Sequence, residues 1–350
     1  MYKFDQIRHV HLEISSRCNA NCPLCPRSFF GYPHNNGFTE RDLTLADAQR
    51  IFEPEFIKQL DELYINGNFG DVVMNLEAVD IIEYFKLHNP RIHVMISTNG
   101  GARNKKFWQD LARLNAEIYF CIDGLEDTHH LYRQNTLYST VIQNARTFIA
   151  AGGRAVWRMI DFDHNKHQQA EAQQLRQQLG FTKFQLTKGN RVDSLVFNKD
   201  RQLTHTIGNP TKEFSEPDGS FSFDRLWDTR INGEVLLEDI VGDELPKPIE
   251  CEVEKKKSVY VSSTGDVYPC CYLGFEPKTF GQGQWHQAIN AQFKHMIKKN
   301  NALEHSLAQC IEWFEEIEKT WAIPTFEQGR VLMCNRQCGN CGSSLGKSAV

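Results

Sequence analysis

No stretch of the 350-residue chain approaches the roughly 18 uncharged apolar residues that a helix needs to cross a bilayer. The N-terminal Met1-Tyr2-Lys3-Phe4-Asp5-Gln6 also lacks the apolar core of a secretory signal, so the expected location is cytoplasmic, with no membrane partner. Charge of one sign is scarce: a formal net charge of −5 gives no reason to expect bulk nucleic acid as a partner. Internal repeats and low-complexity segments are missing too. What remains, 41% hydrophobic and 24% charged residues, is ordinary for a folded protein of one large domain plus a smaller one. Eleven cysteines would suggest disulfides in a secreted chain, but in a reducing compartment grouped cysteines more often bind metal.

Three of them lie in Cys18-Asn19-Ala20-Asn21-Cys22-Pro23-Leu24-Cys25, just after the hydrophobic run Val10–Ile14, with no fourth cysteine nearby. Three thiolates in one loop can hold three irons of a [4Fe-4S] cube, since soft sulfur suits iron–sulfur clusters, and leave the fourth iron open to a substrate. A structural zinc site needs four closed ligands, so zinc would require a distant residue such as His9, His11 or His34.

Residues 8–190 alternate short strand-like runs with longer helical segments. The runs are His9–Ser15, Glu62–Ile65, Arg91–Thr98, Glu117–Ile122, Ala155–Ile160 and Phe184–Leu186. Between them, Leu45–Leu60, Leu76–His88, Lys105–Leu114, Thr140–Ala151 and His167–Gly180 carry apolar residues at spacings of three and four. Such alternation implies right-handed βαβ units around a parallel sheet, and six units give a partial (β/α)6 TIM-like barrel of the α/β class. The cysteine loop follows run one, Asn66-Gly67-Asn68-Phe69-Gly70-Asp71 follows run two, Asn99-Gly100-Gly101 run three and Asp123-Gly124 run four. All four would meet at the C-terminal ends of the strands, where parallel barrels build active sites. Each taken alone is also an ordinary turn sequence.

A second cysteine group lies in the last hundred residues. Cys251 and Cys270 flank the strand-like Ser258–Ser262 and a turn at Thr264-Gly265-Asp266, which reads as a β-hairpin with a cysteine at each end; Cys334, Cys338 and Cys341 follow near the C-terminus. Two hairpin thiolates and two from the tail would close a four-sulfur site, zinc or iron–sulfur by spacing alone. Cys310, in the helix-like Leu307–Trp313, reads as core, and Cys121 as a buried strand residue. Residues 187–250 show little periodicity. Their Phe214, Phe221, Phe223 and Trp227 argue for a lid or substrate cradle over disorder, with a mobile linker as the alternative.

The cysteine loop after the first strand of a partial barrel resembles the radical S-adenosylmethionine (SAM) superfamily. That resemblance covers residues 8–190 and implies that Gly70 and Asp71 hold the amino group of the methionine moiety. It places Thr98 and Asn99 near the ribose and carboxylate, and matches Asp123, with Arg133 following, to a further cofactor-binding segment. Arg158 and Asn165 become SAM or substrate contacts. Leu24 stands where many members carry an aromatic residue, Asp71 and Val72 where they carry Glu and Pro, and Cys121 where they carry Ser. The later cysteines are similar to a SPASM/Twitch extension, whose shorter Twitch form implies one auxiliary [4Fe-4S] cluster on four of Cys251, Cys270, Cys334, Cys338 and Cys341. The chain thus divides into a barrel at 1–190, a linker or lid at 191–250 and an auxiliary domain at 251–350.

By this resemblance the protein reductively cleaves SAM to a 5′-deoxyadenosyl radical that abstracts a substrate hydrogen, with an electron donor such as flavodoxin or ferredoxin. The implied substrate is a ribosomally made peptide, to be crosslinked, epimerised or excised. Because the barrel begins within ten residues of Met1, a separate leader-recognition protein is expected as a partner. Oxidation or rearrangement of a small metabolite, such as an amino sugar or nucleotide, is the alternative; a non-enzymatic metal-binding scaffold is the remaining one.

Overall fold

A computed structural model of the chain describes residues 1–33, 39–188, 194–208, 221–228, 237–275 and 291–339. Six parallel strands run in sequence order: β1 (His9–Leu12), β2 (Glu62–Ile65), β3 (His93–Thr98), β4 (Glu117–Cys121), β5 (Arg154–Ile160) and β6 (Lys183–Thr187). Between them lie α1 (Leu45–Ile51), α2 (Pro54–Lys58), α3 (Ala78–His88), α4 (Lys105–Arg113), α5 (Tyr138–Ala150) and α6 (Gln169–Gln178). This is the partial barrel that the alternation implies. The helical stretch expected across residues 45–60 is split, because Pro54 cannot continue a helix and forces Glu53 into an extended conformation.

Alternate strand residues serve two faces. Val10, Leu12, Leu63, Ile65, Val94, Ile96, Ile118, Phe120, Trp157 and Met159 are almost fully buried in the main hydrophobic core, which also takes in buried side chains of the helices. Their neighbours His11, Tyr64, Ser97, Tyr119, Cys121 and Arg158 fall by alternation on the opposite, concave face.

The sheet and its surroundings hold features beyond the alternation. A hairpin of β7 (Ser194–Phe197) and β8 (Leu203–Ile207) lies in the region read as aperiodic. All four residues of β7 are buried, so the strand has no polar alternation to reveal it. The expected C-terminal hairpin forms as β9 (Ser258–Val261) and β10 (Val267–Tyr268), and β9 also pairs in parallel with β1, His9 opposite Ser258 and Leu12 opposite Val261. The full sheet order is therefore β10-β9-β1-β2-β3-β4-β5-β6.

Candidate active site

The cysteine loop follows β1 beyond Ile14 and is fastened at once. The Ser15 hydroxyl donates to Asp42 at 2.6 Å, Arg17 pairs with the same carboxylate, and the Ser16 amide donates to the Arg41 carbonyl at 2.9 Å. Further on, the Cys25 amide donates to the Cys22 carbonyl at 3.0 Å, and the Ser28 hydroxyl donates to that carbonyl at 2.8 Å. These local bonds present the cysteines at the C-terminal end of the sheet.

Donors from other loops approach the sulfurs. The Ala20 amide lies 3.4 Å from Cys18 Sγ, the Asn99 side-chain amide 3.6 Å from the same sulfur, and the Arg133 guanidinium 3.8 Å from Cys22 Sγ. Asn99 also donates to Asn19 Oδ1 at 2.9 Å, tying the loop after β3 to the cysteine loop. Burial pushes the Cys18 thiol well up, and the charges of Asp71, Cys25 and Cys22 add to it. Three thiols that close repel one another as thiolates and need a cationic group to ionise together. Cys22 sits in an apolar patch with Tyr132, Phe162, Val196 and Ile207, and Leu24 packs against it, so β7 and β8 dry the loop from outside.

Soft donors, N–H groups aimed at sulfur and an apolar shell fit an iron–sulfur cluster on Cys18, Cys22 and Cys25. The zinc alternatives fare worse. His9 faces Glu62 at 3.6 Å, His11 shares a 2.9 Å hydrogen bond with the Asn66 carbonyl, and His34 lies outside the described residues.

The loop after β2 is shaped by one buried carboxylate. Glu13 Oε1 accepts from the Phe69 and Gly70 amides at 2.8 and 2.9 Å, while Oε2 accepts from the Tyr260 hydroxyl at 2.7 Å. Gly70 is obligatory here, since a β-carbon would fall 1.8 Å from the Ser15 carbonyl oxygen. Asp71 follows, fully enclosed: its carboxylate accepts from Thr98 Oγ1 at 2.6 Å, the Asn99 amide at 2.7 Å and the Val73 amide at 3.1 Å. A carboxylate has about four acceptor positions, so these three donors leave room for one more. Burial pushes the Asp71 carboxyl up, while its three donors and the charge of Arg133 pull it down.

Asp123 pairs with Arg133 at 2.6 Å and accepts from the Ile160 amide at 2.5 Å. Asn165 is buried, donating to the Asp123 and Ile160 carbonyls at 3.1 and 2.9 Å and accepting from the Phe162 amide at 3.1 Å; here it braces the loop after β5. Thr98, Asn99, Asp71, Arg133 and the three cysteines thus form one connected set, whereas Arg158 lies on the concave face with Ser97 and Gln185. Glu13 escaped the sequence reading, although a charged residue inside the apolar run Val10–Ile14 was its signal.

Four of the later cysteines influence one another electrostatically. Cys251 precedes the helix Glu252–Lys256, Cys270 follows β10, and Cys334 and Cys338 lie on the helix Leu332–Cys338. A hydrogen bond from Cys338 holds the Cys251 thiol below its ordinary value, and Cys338 is raised by Cys251, by burial and by the charges of Cys270 and Cys334. The Glu250 amide donates to the Cys338 carbonyl at 2.8 Å, closing the backbone around the group. Cys341 lies outside the described residues. Asn68 on the loop after β2 donates to the Cys271 carbonyl at 2.8 Å, next to Cys270.

Comparison with known proteins bears on this geometry. The structure superposes on SuiB of Streptococcus suis, solved bound to S-adenosylmethionine, with a TM-score of 0.52 at 13% identity, covering 87% of this chain and 65% of that one. It superposes on anSMEcpe, solved with bound AdoMet and a Cp18Cys peptide, with a TM-score of 0.53 at 16% identity, covering 98% and 91%. The chain has the fold of the radical SAM enzymes. By sequence it is 27% identical over 117 residues to the FeMo cofactor biosynthesis protein NifB of Methanocaldococcus jannaschii, 32% of this chain and 38% of that one. The chain spans about two fifths of the length of the curated relatives it matches first. No family model matches it. Among the described residues, no helix is long and apolar enough to cross a membrane.

Proposed function

We propose that the protein is a radical SAM enzyme that abstracts a hydrogen from a ribosomally made peptide. The observation that carries this reading is the cysteine loop at the C-terminal end of β1, with Asn99 and Arg133 reaching two of its three sulfurs. Cys18, Cys22 and Cys25 would hold a [4Fe-4S] cluster, which would supply the single electron for reductive cleavage of SAM. The chain binds and orients around that chemistry. Asp71 offers its remaining acceptor position to the amino group of the methionine moiety, and Gly70 keeps the loop close enough for it to do so. Arg133, held by Asp123, balances negative charge beside Cys22. The patch of Tyr132, Phe162, Val196 and Ile207 keeps water away from the loop.

Peptide as the substrate class is supported by two structural neighbours, SuiB, solved bound to its precursor peptide SuiA, and anSMEcpe, solved with a peptide. The four cysteines 251, 270, 334 and 338 are the proposed ligands of one auxiliary [4Fe-4S] cluster, with Cys341 as the fifth candidate. A flavodoxin- or ferredoxin-like donor and a separate leader-recognition protein complete the proposed partners.

The deciding experiment is anaerobic reconstitution with iron and sulfide, followed by reduction with dithionite in the presence of SAM. Wild type is expected to form 5′-deoxyadenosine slowly without substrate, and Cys22→Ala none. Undiminished product from Cys22→Ala would remove the catalytic role of the loop.

A further inference from the structure

The concave face holds a cation that the cysteine site does not use. Arg158, on β5, donates from Nη1 to Ser97 Oγ at 2.8 Å and from Nε to Gln185 Oε1 at 3.3 Å. Its guanidinium carbon lies 4.3 Å from the centre of the Tyr119 ring, and the Tyr64 hydroxyl, 3.0 Å from Ser97 Oγ, stands beside it. Every one of these partners is neutral. Among the described residues no carboxylate pairs with Arg158, whereas the neighbouring Arg133 is paired with Asp123. A guanidinium stays protonated at any working pH, and removing it from water without a counter-charge is costly. Its planar fork matches the two oxygens of a carboxylate or phosphate.

Position separates this cation from the SAM machinery. Arg158 is in register with Cys121 on β4 and Gln185 on β6, and its partner Ser97 precedes Asn99 by two residues. It therefore lies one layer deeper than Asn99 and Asp123, the residues that reach or support the cysteine loop. Thr187, opposite Ile160 and so one layer above Arg158, has a buried hydroxyl with no hydrogen-bond partner among the described residues. The site around Arg158 is polar and partly closed, and its described partners are uncharged.

We propose that Arg158, with Ser97 and Gln185, binds an oxyanion, a carboxylate or phosphate, carried by the molecule on which the enzyme acts. The proposal rests on the radical SAM reading, and narrows the substrate to an anionic one anchored deeper than SAM.

The test uses full-length, reconstituted, unreduced protein, so that SAM is bound but not cleaved. Inorganic phosphate and acetate are titrated calorimetrically into wild type with and without saturating SAM, then into Arg158→Gln and Arg158→Lys. Saturable anion binding to SAM-loaded wild type is expected, weakened at least tenfold in Arg158→Gln and less in Arg158→Lys, which keeps the charge. Circular dichroism and iron content check that both variants fold. Tighter phosphate binding assigns a phosphate ester. Acetate binding as tight as phosphate assigns a carboxylate, such as an acidic side chain of a peptide. The proposal is overturned if SAM displaces the anion, since Arg158 then serves the carboxylate of SAM itself. It is equally overturned if Arg158→Gln binds anions as well as wild type does. Absence of 5′-deoxyadenosine from reduced wild type would sink the radical SAM reading without altering these titrations.

Discussion

Cys18, Cys22 and Cys25 share one loop, whereas Cys251, Cys270, Cys334 and Cys338 come from two helix boundaries, a strand end and the middle of a helix. The first group is held by bonds within its own loop and by donors that reach in from Asn99 and Arg133. The second is drawn together only once the hairpin and the C-terminal helix have packed. Binding a metal centre at the first group constrains few residues, while binding one at the second closes long loops and adds directly to folding stability. With metal bound, a local group would be free for reactivity, and a dispersed group would also act as a clasp.

Deleting each group should separate these roles, with the largest effects expected. The triple variant Cys18→Ala/Cys22→Ala/Cys25→Ala should lose all 5′-deoxyadenosine formation and about half of roughly eight irons per chain, with a melting temperature close to wild type. Cys251→Ala/Cys338→Ala should lose the other half, keep SAM cleavage uncoupled from substrate, and melt about 5 °C lower or more. Iron analysis, product assay and thermal denaturation under argon measure all three. Equal melting temperatures for the two variants would abolish the distinction.

Next in size is the loop after β2, which touches both halves. Gly70→Ala should raise the dissociation constant for SAM more than tenfold while both groups keep their iron, because the new methyl collides with the Ser15 carbonyl and displaces Asp71. Iron loss in parallel with SAM affinity would mean that the loop supports the cysteines themselves.

Acid gives a smaller, graded effect. Burial lowers His11 and His129 to about 4 each, against about 6.5 in an unfolded chain. Their neutral forms stabilise the fold fully above pH 6.5, and that contribution is lost as pH falls toward 4, because the unfolded chain binds protons that the folded one refuses. The expected slope between those values is about 1.4 kcal/mol per pH unit for each histidine. Urea midpoints at pH 7.5 and 5.5 measure it, and His11→Gln should flatten the slope. Since the His11 ring lies 5.1 Å from that of Tyr260, acid should loosen the contact between β1 and β9. The smallest change expected is Tyr260→Phe, which removes one hydrogen bond to Glu13 and should cost about 1–2 kcal/mol in a urea titration.

The parts of the molecule that could be read from the chain are those with local causes. Runs such as Glu62–Ile65 were visible because their apolar residues and flanking turns are neighbours in sequence, and the three cysteines because they fall within one short loop. The helix break at Pro54 also has a local cause, the proline itself, although the apolar periodicity runs on across it. Hidden features depend on partners far along the chain. Nothing near Ser258 announces that it will lie opposite His9, and nothing near Ser194 announces a strand buried on every side. Arg158 was visible as a residue, but the lack of a carboxylate around it emerges only when β3, β4 and β6 are placed beside it.

The pairing of β9 with β1 has a practical outcome for anyone cutting this protein. If residues 1–190 were made alone, β1 would become an outer strand with its backbone amides and carbonyls open along His9–Leu12, flanked by Val10 and Leu12, which are fully buried in the whole chain. Open strand borders of that kind recruit strands from other molecules. The shortened product should therefore clump or pair with itself, and a soluble fragment should need residues 258–261 supplied in trans or the border blocked by a lysine or proline.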